Sequence, residues 1–132
     1  MEYDEKREAN DHVALREAGK RRYKDGDYKS AFEYLSKAAE LGDVEAHYHL
    51  SFMYRAWEGE KDEKKKLHHL EVAAIGGHPD ARFDIGFIEY ENGKPERSVK
   101  HWTIAAKLGH DHSLQSLSEC YKGGLVSTED FA

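Results

Sequence analysis

Seven of the chain's eleven glycines fall at near-even spacing: Gly26, Gly42, Gly59, Gly77, Gly93, Gly109 and Gly123, separated by 16, 17, 18, 16, 16 and 14 residues. Each interval holds one helix and a short turn, and glycine best tolerates the left-handed conformation just past a helix end. A second period is superimposed. Ala38-Ala39-Glu40-Leu41-Gly42, Ala73-Ala74-Ile75-Gly76-Gly77 and Ala105-Ala106-Lys107-Leu108-Gly109 are one phrase written three times, their closing glycines 35 and 32 residues apart. A two-helix unit repeating at this length predicts an all-α fold: a right-handed α-solenoid of about three helix-turn-helix repeats plus a C-terminal capping helix. Such an array buries a seam between neighbouring hairpins rather than one central core, and it works by holding another protein rather than by chemistry.

The helices are legible from their stripes and punctuation. Residues 1–10 read as a polar lead-in, helix-compatible but with little to bury. A first helix is expected from about Asp11 to Lys24, and Asp27 caps a second that carries Ala31, Leu35, Ala38 and Ala39. Asp43 caps a third with Ala46, Leu50, Met53 and Tyr54 on one face, and a loop through Trp57 and Gly59 follows. Asp62 caps a fourth with Leu67, Leu70, Ala73 and Ala74. Pro79 and Pro95 open the fifth and sixth helices, where a missing N–H does no harm. Their stripes are Ala81, Ile85 and Ile88, then Val99, Trp102, Ala105 and Ala106. A seventh holds Leu114, Leu117 and Tyr121 and ends near Gly123-Gly124. These divisions place a repeat domain over residues 11–124, with repeats at about 11–42, 43–77 and 78–109, a partial unit at 110–124 and a tail at 125–132. Ser127 and Asp130 resemble a helix start that stops before a second turn. This reads as a cut from a longer protein, with docking of the tail on the last repeat as the alternative.

Composition removes several function classes. A formal net charge of −6 argues against non-specific binding to nucleic acid or anionic lipid. The run Glu60-Lys61-Asp62-Glu63-Lys64-Lys65-Lys66 mixes both signs and reads as a solvated loop and helix start. A lone cysteine, Cys120, forms no intrachain disulfide and fits a reducing, cytoplasmic setting. No window reaches the length of a membrane span, and residues 1–10 form neither a signal peptide nor an anchor.

Two helices approach closely only where side chains are small. The alanine pairs meet that need in the second helices, and Gly19, Ser51, Gly86 and Ser118 meet it in the first, each following Ala18, Leu50, Ile85 or Leu117. On these residues the chain resembles Sel-one-like repeats, relatives of the tetratricopeptide repeat. Asp27 through Asp43 resembles the second helix of one repeat, and Ala46-His47-Tyr48-His49-Leu50-Ser51-Phe52-Met53-Tyr54 the first helix of the next. There are departures. Ala56-Trp57-Glu58-Gly59-Glu60-Lys61 replaces the family's Gly-x-Gly-Val loop, Ser51 stands where glycine is usual, and Lys66 replaces the small residue seen at Ala31. The first repeat, with Leu15, Ala18, Gly19, Ala31 and Ala38, is closer to a plain tetratricopeptide unit. The resemblance implies a non-catalytic adaptor or scaffold that binds a peptide or helix of a protein partner in a concave groove.

In arrays of this kind the first helices line the groove. The Leu50-Ser51 and Ile85-Gly86 landmarks then point Tyr48, Phe52 and Arg55 inward, and Phe83, Phe87 and Tyr90 one repeat later. Phe52 and Phe87 are the stronger candidates, because Tyr48 and Phe83 stand where such repeats keep a packing aromatic. Arg16 and Lys20, at the matching places in the first repeat, suit an acidic ligand end, with solvated charge as the alternative. The nine histidines lack the i, i+4 spacing or cysteine partners of a zinc site. His69 and His101 occupy equivalent places in successive repeats, and His78 and His110 equivalent turns, so either pair is placed to approach. No cofactor, metal or catalytic residue is expected. The competing reading is a purely structural fragment of a longer scaffold, and open ends of the stack leave end-to-end self-association as a further possibility.

Overall fold

The repeated phrase is a helix ending. In the computed structural model, which describes the backbone of residues 2–56 and 62–124 and the side chains of 11–54 and 62–124, all three copies close in the same way. Gly42 N–H donates to Ala39 C=O and Asp43 N–H to Ala38 C=O, at 2.9 and 3.1 Å. Gly77 and His78 repeat this on Ala74 and Ala73, and Gly109 and His110 on Ala106 and Ala105, all at 3.0 Å. This is the Schellman pairing, which satisfies carbonyls that a helix end leaves without partners. It requires a left-handed residue at the glycine, and φ is +90° at Gly42, +91° at Gly77 and +92° at Gly109. Gly26 and Gly93 close the intervening turns with φ of +80° and +76°. The final turn is shifted by one residue from the expected position. The last helix runs to Lys122, so Gly123 is its cap at φ −78° and Gly124 takes the positive φ. Gly59 lies outside the described residues.

The described residues form seven helices: α1 Glu2–Lys24, α2 Tyr28–Glu40, α3 Val44–Ala56, α4 Glu63–Ile75, α5 Pro79–Glu91, α6 Pro95–Lys107 and α7 Asp111–Lys122. Among the described residues there is no strand, and no helix is long and apolar enough to cross a membrane. α1 starts nine residues before the expected Asp11. Glu, Lys, Arg and Ala there are good helix formers, and adding a turn to an existing helix is cheap. The expected caps form. Asp27 accepts from Ser30 N–H at 3.2 Å, Asp43 from Ala46 N–H at 2.8 Å, and Asp62 from Lys64 and Lys65 N–H at 3.0 and 3.1 Å. Pro79 and Pro95 sit in the first turns of their helices.

The chain divides into two compact units, Met1–Val72 and Ala73–Ala132. In the first, Ala31, Leu35, Ala38 and Ala39 of α2 form one core with Ala46, Leu50, Met53 and Tyr54 of α3, flanked by Leu15 and Phe32. In the second, Val99 and Trp102 of α6 pack with Leu117 and Cys120 of α7, flanked by Phe83 and Ala106. The α7 stripe differs from the expected one. Ser113, Leu117 and Cys120 are buried, while Leu114 and Tyr121 are exposed. α7 packs on α6 through the side rotated about one residue from the expected stripe, and Ser118 is exposed as well.

Close approach depends on glycine where expected. A Cβ on Gly19 would stand 2.7 Å from Leu35 Cγ, and one on Gly86 would stand 2.5 Å from Trp102 Nε1. The indole cannot easily yield, because its N–H donates to Phe83 C=O at 3.1 Å. Gly86→Ala is therefore expected to destabilise the protein by about 1–3 kcal/mol, although alanine favours a helix over glycine by roughly 1 kcal/mol. Urea denaturation measures this, and an unchanged or raised stability would refute the close-contact reading.

Candidate interaction surface

α3 and α5 carry the expected aromatic candidates, and burial of one face of each helix sets where the others stand. On α5, Ala81, Ile85 and Gly86 are buried. Phe83 belongs to the packing. Its ring stacks on His110 at 4.6 Å between centroids and lies 6.0 Å from Trp102. Phe87, one turn on, is 48% exposed, and Tyr90 is 41% exposed with its ring 5.9 Å from Trp102. On α3, Tyr48 and Phe52 are half-buried and meet edge to face at 4.7 Å, an arrangement that favours a fixed pair. The Arg55 side chain lies outside the described residues.

Arg16 and Lys20 are engaged by carboxylates of their own chain. Arg16 donates to Asp43 Oδ2 at 2.8 Å, and its Nε lies 3.2 Å from Glu45 and 3.3 Å from Glu17. Lys20 Nζ donates to Glu45 at 3.3 Å. The expected pairing with an acidic ligand end would have to displace these bonds. Asp43 is the centre of this cluster, its side chain 1% exposed. One carboxylate oxygen caps α3, and the other receives Arg16 and the His12 ring at 2.8 Å each. Burial alone would raise the Asp43 carboxyl, but the bonds from His12, the Ala46 N–H and Arg16 overcome it and hold the group below the ordinary aspartate range.

Two histidines form a contact that spacing did not reveal. His47 Nδ1 and His69 Nδ1 are 2.8 Å apart, so one ring donates and the other accepts. The His69 ring also stacks on Tyr54, with centroids 5.4 Å apart and planes 11° from parallel. Burial, then His47, His68 and Lys65, pushes His69 down to about 4, and burial also lowers His47. In the second unit, His78 Nδ1 caps α5 by accepting from Ala81 N–H at 3.2 Å, His110 Nε2 meets Asp80 at 2.9 Å, and His101 Nδ1 faces Arg82 at 3.4 Å. These rings serve caps and pairs. Among the described residues no three His, Cys, Asp or Glu side chains are grouped to hold a metal ion. Cys120 is buried, and burial pushes its thiol up, away from the reactive thiolate.

Known proteins give a consistent comparison. The Sel1 repeat family matches residues 13–43, 44–78 and 79–110. A Sel1 repeat protein from Oxalobacter formigenes is 29% identical, with a TM-score of 0.72 over 90% of this chain and 96% of its own. The protective antigen c5321 of uropathogenic Escherichia coli, which displays an SLR fold, is 30% identical, with a TM-score of 0.75 over 92% of this chain and 28% of its own. No curated protein matches the chain. These likenesses place the fold in the α-solenoid class.

The buried polar groups make stability depend on acid in two windows. His69 is neutral in the fold, with an ordinary value of 6.5 against about 4 in place. The unfolded chain therefore binds the extra proton first. The contribution is complete well above pH 6.5 and is lost as pH falls towards 4, amounting to about 1–3 kcal/mol once screening at the partly exposed ring is allowed for. His69→Gln is expected to flatten the stability curve across that interval in urea titrations, and an unaltered slope would exclude His69 as its source. Asp43 has the opposite chemistry, with its charged form stabilised. Its contribution is present above the ordinary aspartate range near pH 4 and disappears below it. Asp43→Asn is expected to cost about 1–3 kcal/mol at neutral pH, measured by the same titrations, because Arg16 loses its counter-charge. A loss near zero would remove Asp43 from the centre of the cluster.

Proposed function

The chain belongs to the Sel1 repeat family, whose members are generally non-catalytic protein-interaction scaffolds, and on that premise we propose that it is an adaptor gripping a peptide or helix of another protein through the aromatics of its first helices. The Tyr48–Phe52 pair of α3 offers such contacts in the first unit, and Phe87 and Tyr90 of α5 offer them in the second. The observation that carries this reading is the exposure of Phe87. It follows two buried residues, Ile85 and Gly86, on a rigid helix, and presents about half of a large apolar side chain to solvent. Aromatic anchors on a preformed surface give much area for little loss of rotamer entropy, which is why such residues dominate the energetics of interfaces. Phe83, stacked between His110 and Trp102, supports α5 and is outside the contact set.

Aromatic rather than ionic anchoring is favoured by the state of the cations. Arg16 and Lys20 already neutralise Asp43 and Glu45, so recruiting them to a ligand carboxylate would strip a buried acid of its partner. The expected consequence concerns capture of binding proteins by the immobilised chain. The Phe52→Ala/Phe87→Ala double variant should recover at least tenfold less of the proteins held by the wild type, as loss of two interface anchors implies. Equal recovery by the two would overturn the aromatic assignment.

A further inference from the structure

α7 repeats the pattern of α3 and α5, and one side of it is solvent-exposed. Ser113, Leu117 and Ser118 stand where α3 has Ala46, Leu50 and Ser51, and where α5 has Ala81, Ile85 and Gly86. All three positions are buried in α3 and in α5. In α7, Ser113 and Leu117 are buried and Ser118 is exposed. Asp111, Leu114, Gln115, Tyr121 and Lys122 share its exposed side at helical spacing. Leu114 is 58% exposed, the highest fraction among the large hydrophobic side chains of α7.

What seats against a small residue in this fold is visible elsewhere. Leu35 lies over Gly19 and Trp102 over Gly86, each at contact distance from the backbone that lacks a side chain. A large apolar group fills the notch beside a small one. α7 carries both halves of this arrangement, Leu114 and Ser118, one turn apart.

We propose that α7 pairs antiparallel with α7 of a second copy of this chain about a two-fold axis. The register that lays Leu114 over Ser118 of the second copy lays that copy's Leu114 over Ser118 in return. The same register brings Asp111 beside Lys122 of the second copy, twice, so the charges at the two ends of the stripe complement each other. Antiparallel pairing also sets each helix N-terminus beside the other's C-terminus, as the helix dipoles prefer. The contact is small. Twelve residues make a helix about 18 Å long, and one such pair falls short of the roughly 1,200–2,000 Å² buried in stable interfaces. The dimer is therefore weak and reversible, with a Kd on the order of tens of micromolar.

Sedimentation velocity on the full chain, from roughly 5 to 500 µM, tests this across the expected Kd. The wild type is expected to pass from monomer to dimer in that range, and Leu114→Glu to remain monomeric. Asp111→Lys and Lys122→Glu, each alone, oppose like charges and should weaken the dimer roughly threefold to tenfold. An equimolar mixture of these two variants restores both opposite-charge contacts and should dimerise like the wild type, a result that misfolding cannot produce. A wild type that stays monomeric at the highest concentration, as it would if another segment or another protein occupies this face, overturns the proposal. So does a dimer that survives Leu114→Glu, or a mixture no tighter than its components.

Discussion

Each hairpin of this protein depends on how a helix stops. The alanine pair near the end of α2, α4 and α6 presents two carbonyls that have no partner within the helix, and the glycine turn returns two backbone N–H groups to them. A residue with a Cβ resists the left-handed conformation this demands. The residue after the glycine then begins the next helix, and in two of the three turns its side chain caps it: Asp43 for α3 and His78 for α5. Ending one helix and aiming the next are thus a single event, compressed into six residues. The alanines serve a second purpose. Their small side chains, nearly all buried, let the paired helix lie close.

Small residues make a thin core, and polar ties supplement it. Asp43 is the clearest case, a buried carboxylate that joins the start of α3 to Arg16 and His12 of α1. Hydrophobic contacts between alanines are nearly indifferent to a slip along the helix, whereas a two-sided hydrogen-bonded carboxylate is not. The His47–His69 contact and the His69–Tyr54 stack act similarly between α3 and α4. Desolvation of His69 and the hydrogen bonds that hold the Asp43 carboxylate make the fold sensitive to acid at two different pH ranges.

The same economy separates structural from available aromatics. Trp102 and Phe83 are taken up by packing around Gly86, with the indole N–H bonded to the Phe83 carbonyl. Phe87 and Tyr90 lie on the side of α5 that this packing leaves open. A scaffold that positions side chains on rigid helices without burying them offers contact area, which suits recognition.

Much was legible from residue order, because it rests on interactions within six residues. The glycine and alanine period, the Asp27, Asp43 and Asp62 caps and the proline starts depend only on local backbone chemistry, and α2 and α3 bury every residue their spacing indicates. The need for Gly19 and Gly86 was readable for a similar reason, since the repeat itself marks where helices touch. The phase of α7 was not. Spacing alone does not decide which of two adjacent stripes a neighbour covers, and α7 turned Cys120 inward and Leu114 outward. Nor was it readable that Arg16 reaches Asp43, 27 residues away, or that His47 finds His69. Residue order determined where helices begin, end and bend back, because those are short-range hydrogen-bond requirements. Tertiary structure alone decided which cations, rings and apolar groups remain free for a partner, because that depends on what distant segments consume first.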